Sequence, residues 1–346
     1  MRSGDFKTSY REDIAILQTT FVKVCIGIFI VALVGAVLIA DNYFIYIVNL
    51  CAIATIGALG LNIITGLAGQ ISIGHAGFLA IGAYASALLL KNGVPFLISI
   101  ALAGFITTIS GFIVGIPSLR LKGLYLAITT FAFGFVVEHL ANIWVSLTNG
   151  ANGLMVLPAS ILGFTFDSDR SFFFLVFPIT ILAVLYTRNL VRSKVGRAWI
   201  AIRDRDIAAQ TMGISLSWYK LSAFAVSSFY AGIAGALYGH YMQFIGPTHF
   251  ELYLSVQYLA MIIIGGLGSV LGTIFGAVFM TILPELLKYI PDLFRQSYPV
   301  IVERFADINL ILYGMLIMLF VIIEPKGLYG IWNNVKTYWR MWPYTH

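Results

Sequence analysis

Side chains able to do chemistry are scarce in this 346-residue sequence, and the most suggestive of them sit among glycines. Gln70, Ser72 and His75 lie in the run Gly66-Leu-Ala-Gly-Gln-Ile-Ser-Ile-Gly-His-Ala-Gly77, between two apolar blocks. With Asn62 just ahead, the run offers hydrogen-bonding groups on a backbone free to unwind, which suits a polar passage at membrane depth. Asn62, Gly66, Gly69, Gln70, Ser72, Gly74 and His75 are therefore candidates for a solute path. A second run, Gly265-Gly-Leu-Gly-Ser-Val-Leu-Gly272, adds Gly265, Gly266 and Gly268. Close helix packing is an equal alternative for any single glycine, notably in Gly111-x-x-x-Gly115, Gly235-x-x-x-Gly239 and Gly268-x-x-x-Gly272-x-x-x-Gly276. The polar cluster weighs against that alternative in the first run.

No catalytic constellation is present. The sequence has no His-Glu-x-x-His, no Gly-x-Ser-x-Gly and no Gly-Lys dipeptide, so it carries no Walker A loop. His75, His240 and His249 lack metal-ligand spacing and read as satisfied or interfacial histidines. Glu138 and His139 fall near the end of an apolar block, where headgroup contact costs little. Cys25 and Cys51 both lie in apolar blocks and suggest neither a disulfide framework nor a metal site. No catalytic residue, metal or cofactor is expected on this chain, which is not read as an enzyme.

The elements that must position these residues follow from composition. Hydrophobic residues make up 60% of the sequence and charged residues 10%, against roughly 25% charged in a typical soluble domain. That excludes a cytosolic enzyme, a disordered chain and a nucleic-acid binder, and makes membrane lipid the main solvent. Continuous apolar runs rule out a β-barrel in favour of helices. About ten spans are expected: Val22–Ala40, Tyr43–Thr65, Ala76–Leu90, Phe96–Gly115, Leu124–Val145, Phe172–Thr187, Leu221–Tyr241, Leu254–Leu267, Leu271–Leu287 and Ile308–Ile323. The third, sixth and eighth are short. The first reads as a retained anchor rather than a signal peptide. The fold class is thus all-α, a polytopic membrane protein. Its expected parts are an N-terminal segment 1–21, a transmembrane region 22–323 and a C-terminal tail 324–346.

Charge sets the orientation. With the N-terminus cytoplasmic, inner segments hold 16 of the 21 Lys and Arg residues and outer segments 5. The positive-inside rule then places both termini in the cytoplasm. Seven of the 16 fall in the loop 188–220. Within it, Ala198–Met212 reads as one short amphipathic helix closed by Gly213, with Ile202, Ile207, Ala208 and Ala209 as an apolar strip. A solvated loop is the bland reading of this stretch, and a docking surface for a cytoplasmic partner the sharper one. Intramembrane acids are too few for an ion-coupled carrier, and no arginine-rich voltage sensor is present.

The run from Gly60 to Tyr84, GLNIITGLAGQISIGHAGFLAIGAY, resembles the signature of branched-chain amino acid ABC transporter permeases of the M type (the LivM family). Leu147-Thr-Asn-Gly-Ala-Asn-Gly153, Ser193-x-x-Gly-Arg-Ala198, Ala201-Ile-Arg-Asp204, Ala208-Ala-x-x-x-Gly213 and Gly265-Gly-Leu-Gly268 extend the resemblance from about Asn42 to Gly330. The resemblance implies one permease subunit of an ATP-driven importer in a bacterial inner membrane. It also implies a second permease, two cytoplasmic ATPases that carry ATP and Mg, and a periplasmic binding protein. Arg197, Ala198, Ala201, Arg203, Asp204, Ala208, Ala209 and Gly213 then correspond to the segment that couples to an ATPase. Two departures stand out. Where the family commonly has Glu after the glycine of the fifth span, Gly134 is followed by Phe135 and the acid comes later, as Glu138; the loop Lys288–Asp307 is also long and charged. Related permeases that import urea and short amides share these features and stay open as an alternative, ahead of a stand-alone secondary carrier or a membrane-embedded enzyme.

Overall fold

A computed structural model describes residues 20–161, 163–287 and, apart from 312, 313, 316, 321 and 325, 311–341. Its main helices are α1 (Thr20–Ile39), α2 (Asn42–Leu61), α3 (His75–Lys91), α4 (Phe96–Ser118), α5 (Leu124–Ile143), α6 (Asp169–Arg192), α7 (Lys194–Asp204), α8 (Asp206–Thr211), α9 (Leu216–Met242), α10 (Leu252–Gly265), α11 (Val270–Leu287) and α12 (Gly327–Met341). Among the described residues, strands are confined to two antiparallel pairs of two residues, Leu154–Met155 with Phe244–Ile245 and Ser160–Ile161 with Phe164–Thr165. The architecture is all-α, as expected. Among the described residues, five helices are long and apolar enough to cross a membrane, and α3 and α11 are shorter apolar helices.

α9 and α2 form the centre. In α9, 67% of the apolar window is buried, and in α2 with its continuation 61%, against 22% in α5. Lipid tails are as apolar as leucine, so association relies on close packing of small residues. α3 and α9 approach so closely that a methyl added at Gly82 would lie 2.2 Å from the Gly232 carbonyl oxygen. α10 and α11 meet the same way, with Gly265 against Gly272 and Gly276. Thr107, Thr130 and Ser228 are fully buried, and each returns its hydroxyl proton to a carbonyl three or four residues earlier. None of these three hydroxyls is thereby left bare in an apolar setting.

Two expectations need correction. The sixth span is not short: α6 has 24 residues, because a Ser168–Ser171 capping box starts it earlier and Arg188, Asn189 and Arg192 continue it. The coupling stretch is not one helix but two, α7 and α8. They are broken at Arg205, which is extended with φ −154° and ψ 95°. The tail includes the helix α12, whose Trp332 rests edge-on against Phe275 of α11. Cys51 is buried and free, while the side chain of Cys25 lies outside the described residues. Most of 1–21 and all of the loop Lys288–Asp307 also lie outside them, as does part of Ile308–Ile323, where the described residues are helical.

Candidate functional site

α2 does not end as an α-helix. Residues Asn62–Leu67 continue it as a π-helical turn, in which the Ala68 amide reaches back five residues to the Ile63 carbonyl at 3.1 Å. The chain then leaves the helix at Gly69, whose φ of +68° is a left-handed conformation that favours glycine. This widened turn aims Asn62, which has no exposed surface, at the second glycine run. Its Oδ1 accepts the Gly268 amide at 2.8 Å, and its Nδ2 donates to the Ser269 carbonyl at 3.4 Å. The two runs, about 200 residues apart, thus form one junction.

Arg203, from the last turn of α7, enters that junction. Its Nη1 donates to the Gly66 carbonyl at 2.8 Å, at the C-terminal end of the α2 continuation, where helix carbonyls lack intrahelical donors and favour a cation. Asp204 braces the guanidinium, accepting from Nε at 3.1 Å and lying 3.0 Å from Nη2. The slot exists only because three residues have no side chain. A methyl added at Gly69 would lie 2.7 Å from Arg203 Cγ, and one at Gly268 would lie 2.9 Å from Nη1. At Gly66 an added methyl would strike Asn62 Oδ1 at 2.0 Å.

Trp199 anchors α7. It is fully buried, and its indole Nε1 donates to the Tyr219 carbonyl at 2.8 Å and to Ser222 Oγ at 3.2 Å, both on α9. Ser193 caps α7 by accepting the Gly196 amide. Lys122, in the turn between α4 and α5, is ion-paired with Asp206 at the start of α8. That hydrogen bond holds the Asp206 carboxyl below its ordinary range. The segment is therefore tied to α9, to the α4–α5 turn and to both glycine runs.

The residues picked from the sequence separate into groups. Asn62, Gly66, Gly69, Gly268 and Arg203 come together at the junction. Gly265 serves α10–α11 packing, and Gly266 (φ +117°) turns the chain beside Lys326. Gly74 and His75 belong to helix packing: a methyl at Gly74 would meet the Thr130 carbonyl of α5 at 1.8 Å. His75 Nε2 lies 3.0 Å from the Gly57 carbonyl. Ser72 is buried and its hydroxyl has no partner among the described residues. Gln70 faces a polar cavity beneath the coupling segment rather than the bundle centre.

On the coupling side, Ala198, Ile202 and Ala209 are buried while Ile207 and Ala208 are exposed, so the expected apolar strip is divided between two faces. Arg197 bonds back to the Arg192 carbonyl, and Ala201 is half-buried. Gly213 has φ +83° with open space around it and turns the chain after α8. Trp199 escaped the sequence reading. A tryptophan one residue past Ala198 and three before Ile202, in an otherwise polar loop, was the available signal. Glu138 lines a small cavity with Ile73, Ala76 and Ser255, at the end of the first glycine run. His240 is satisfied, with Nε2 2.8 Å from Ser86 Oγ and Nδ1 2.9 Å from the Leu157 carbonyl. No group of acids, histidines and cysteines among the described residues could hold a metal.

Comparison with known proteins adds a family. Residues 43–321 match the family described as branched-chain amino acid transport system / permease component. The chain is 34% identical to the Salmonella typhimurium high-affinity branched-chain amino acid transport system permease protein LivM, over 85% of this chain and 70% of that one. It is 33% identical to the Escherichia coli LivM protein, over 82% and 69%. The Salmonella typhimurium LivH permease protein is 24% identical, over 79% and 90%. No solved structure matches.

Proposed function

The chain belongs to the branched-chain amino acid transport system permease component family, and from that premise we propose that it is the M-type permease subunit of an ATP-driven importer of branched-chain amino acids. In this reading it has ten spans in a bacterial inner membrane, with both termini and the loop 188–220 in the cytoplasm. The division of basic residues, 16 against 5, supports that orientation. A second permease completes the pathway; LivH-named proteins are themselves similar to this chain. Two ATPase subunits bind and hydrolyse ATP with Mg, and a periplasmic protein delivers the amino acid.

The observation that carries the proposal is Arg203 in its glycine slot. A partner that grips α7–α8 from the cytoplasm moves Arg203, and Arg203 is bonded to the end of α2 and packed against the α10–α11 turn. A charge-assisted bond of about 1.5–3 kcal/mol, part-buried at the Gly66 carbonyl, is of the size of the usual coupling of 1–3 kcal/mol between two sites. Ile207 (73% exposed) and Met212 (85%) supply the apolar grip on the free side of α8. Selectivity rests largely with the binding protein, because a branched aliphatic side chain asks little more of the permease than an apolar path.

The test is reconstitution of this subunit with its permease, ATPase and binding-protein partners in proteoliposomes. Leucine uptake that requires ATP and the binding protein is the expected result. Uptake without either, or uptake of urea or acetamide but not of leucine, overturns the proposal.

A further inference from the structure

Lys220, in the first turn of α9, is only 8% exposed, and its side chain has no hydrogen bond or ion pair among the described residues. Burying a cation without a counter-charge is costly. The nearest acid, Asp206, is already taken by Lys122. Lys220 faces two adjoining polar cavities, of about 270 Å³ and 330 Å³, and Lys122 lines both with it.

The larger surroundings repeat the imbalance. Four cations (Lys122, Arg203, Arg205, Lys220) and two acids (Asp204, Asp206) line the 270 Å³ cavity, an excess of two positive charges (4 − 2). Arg203 pairs with Asp204 and Lys122 with Asp206, which leaves buried Lys220 and solvent-exposed Arg205 without an ion pair among the described residues. Gln70, 4% exposed, lines the same cavity with both side-chain amide atoms unpartnered. Buried polar groups in this state call for an occupant that accepts hydrogen bonds and carries negative charge.

We propose that this two-lobed cavity binds a phosphate group through Lys220, Arg205 and Gln70. An excess of two positive charges matches the one to two negative charges of a phosphate, whose tetrahedral oxygens accept from several directions. The cavity lies where ends of α4, α5, α9 and the α2 continuation come together, a position that the proposed orientation puts at the cytoplasmic membrane face, near anionic headgroups. Leu124 (73% exposed) and Tyr125 (72%) stand beside it, an apolar rim where an acyl chain can lie. The phosphate comes from an anionic phospholipid or from a free phosphate. In either case it bridges the coupling segment to α9 and to the first glycine run.

The experiment uses the full chain purified with its partner permease in detergent. Native mass spectrometry measures retention of phosphatidylglycerol against phosphatidylcholine, and equilibrium dialysis measures binding of labelled inorganic phosphate. Preferential retention of phosphatidylglycerol identifies a lipid source, and saturable phosphate binding a soluble one. In either arm Lys220→Gln is expected to weaken binding about tenfold or more, and Lys220→Arg to keep it within about threefold. If Lys220→Gln does not fold, Arg205→Gln provides the same comparison. No preference for phosphatidylglycerol together with no phosphate binding overturns the proposal. So does binding unchanged by the charge-removing variants.

Discussion

The junction can be tested at Gly66. In Gly66→Ala the new methyl lies 2.0 Å from Asn62 Oδ1 and 2.5 Å from the Gly268 amide nitrogen. Asn62 is fully buried, and Gly268 is backed by Arg203, so neither can retreat freely. Overpacking of this kind costs roughly 1–3 kcal/mol. Displacing Oδ1 also removes the acceptor of the Gly268 amide, and an orphaned buried donor costs about 1–3 kcal/mol more. The expected destabilisation is about 2–6 kcal/mol. Asn62→Ala orphans the same amide but leaves room for the methyl. The double variant should therefore be more stable than the sum of the singles predicts, by about 1–3 kcal/mol. Denaturant titration of the purified protein in micelles, followed by tryptophan fluorescence, reads all three; the fully buried Trp199 lies close to the junction. Additivity within about 0.5 kcal/mol, or a Gly66→Ala variant as stable as the parent, would refute the reasoning.

Three further outcomes are expected. Trp199→Phe removes the donor to Tyr219 and Ser222 and should cost about 1–3 kcal/mol in the same titration while lowering ATP-driven uptake; unchanged stability would show that the indole bond anchors nothing. Ile207→Asp and Met212→Asp, on exposed positions, should abolish co-purification of the ATPase subunits with the melting temperature unchanged, and normal co-purification would remove α8 from the docking surface. The Asp206 carboxyl titrates below its ordinary value of 3.8, so its pairing with Lys122 contributes stability that is complete above that value and lost as pH falls through the lowered one. The melting-temperature gap between the parent and Asp206→Asn should be flat from pH 8 to 5 and close only in stronger acid; a gap that closes near pH 6 would point to another group.

Helices were legible in the sequence wherever a long apolar run met lipid, because no other backbone arrangement satisfies its own hydrogen bonds there. Their ends were less so. Phe172–Thr187 stopped short at both sides because α6 starts on a polar cap and ends on basic residues. The break at Arg205 has no proline or glycine to announce it. It comes from tertiary demands, with Trp199 and Ile202 seated on one side and Ala209 on the other. Each glycine run was visible by itself, and so was Arg203 as part of the coupling stretch. That these parts form one slot was not visible, since the contact depends on how α2, α7 and the α10–α11 turn are placed and on no local pattern. The cavity beside Gln70 was not visible for the same reason: a polar residue beside glycines reads equally as path or as cavity wall.

The π-helical turn at Asn62–Leu67 amounts to one inserted residue. Each residue of an α-helix advances the chain by about 100°, so the insertion works as a phase shift between the lipid-embedded stretch of α2 and the glycines after it. Deleting one residue within the turn would leave the upstream packing of α2 in register, yet rotate Gly66 away from Gly268 and carry the carbonyl out of reach of Arg203. A relative whose second span is one residue shorter at this point would need a differently placed cation, or a different carbonyl, to connect its α7 segment to its helical core.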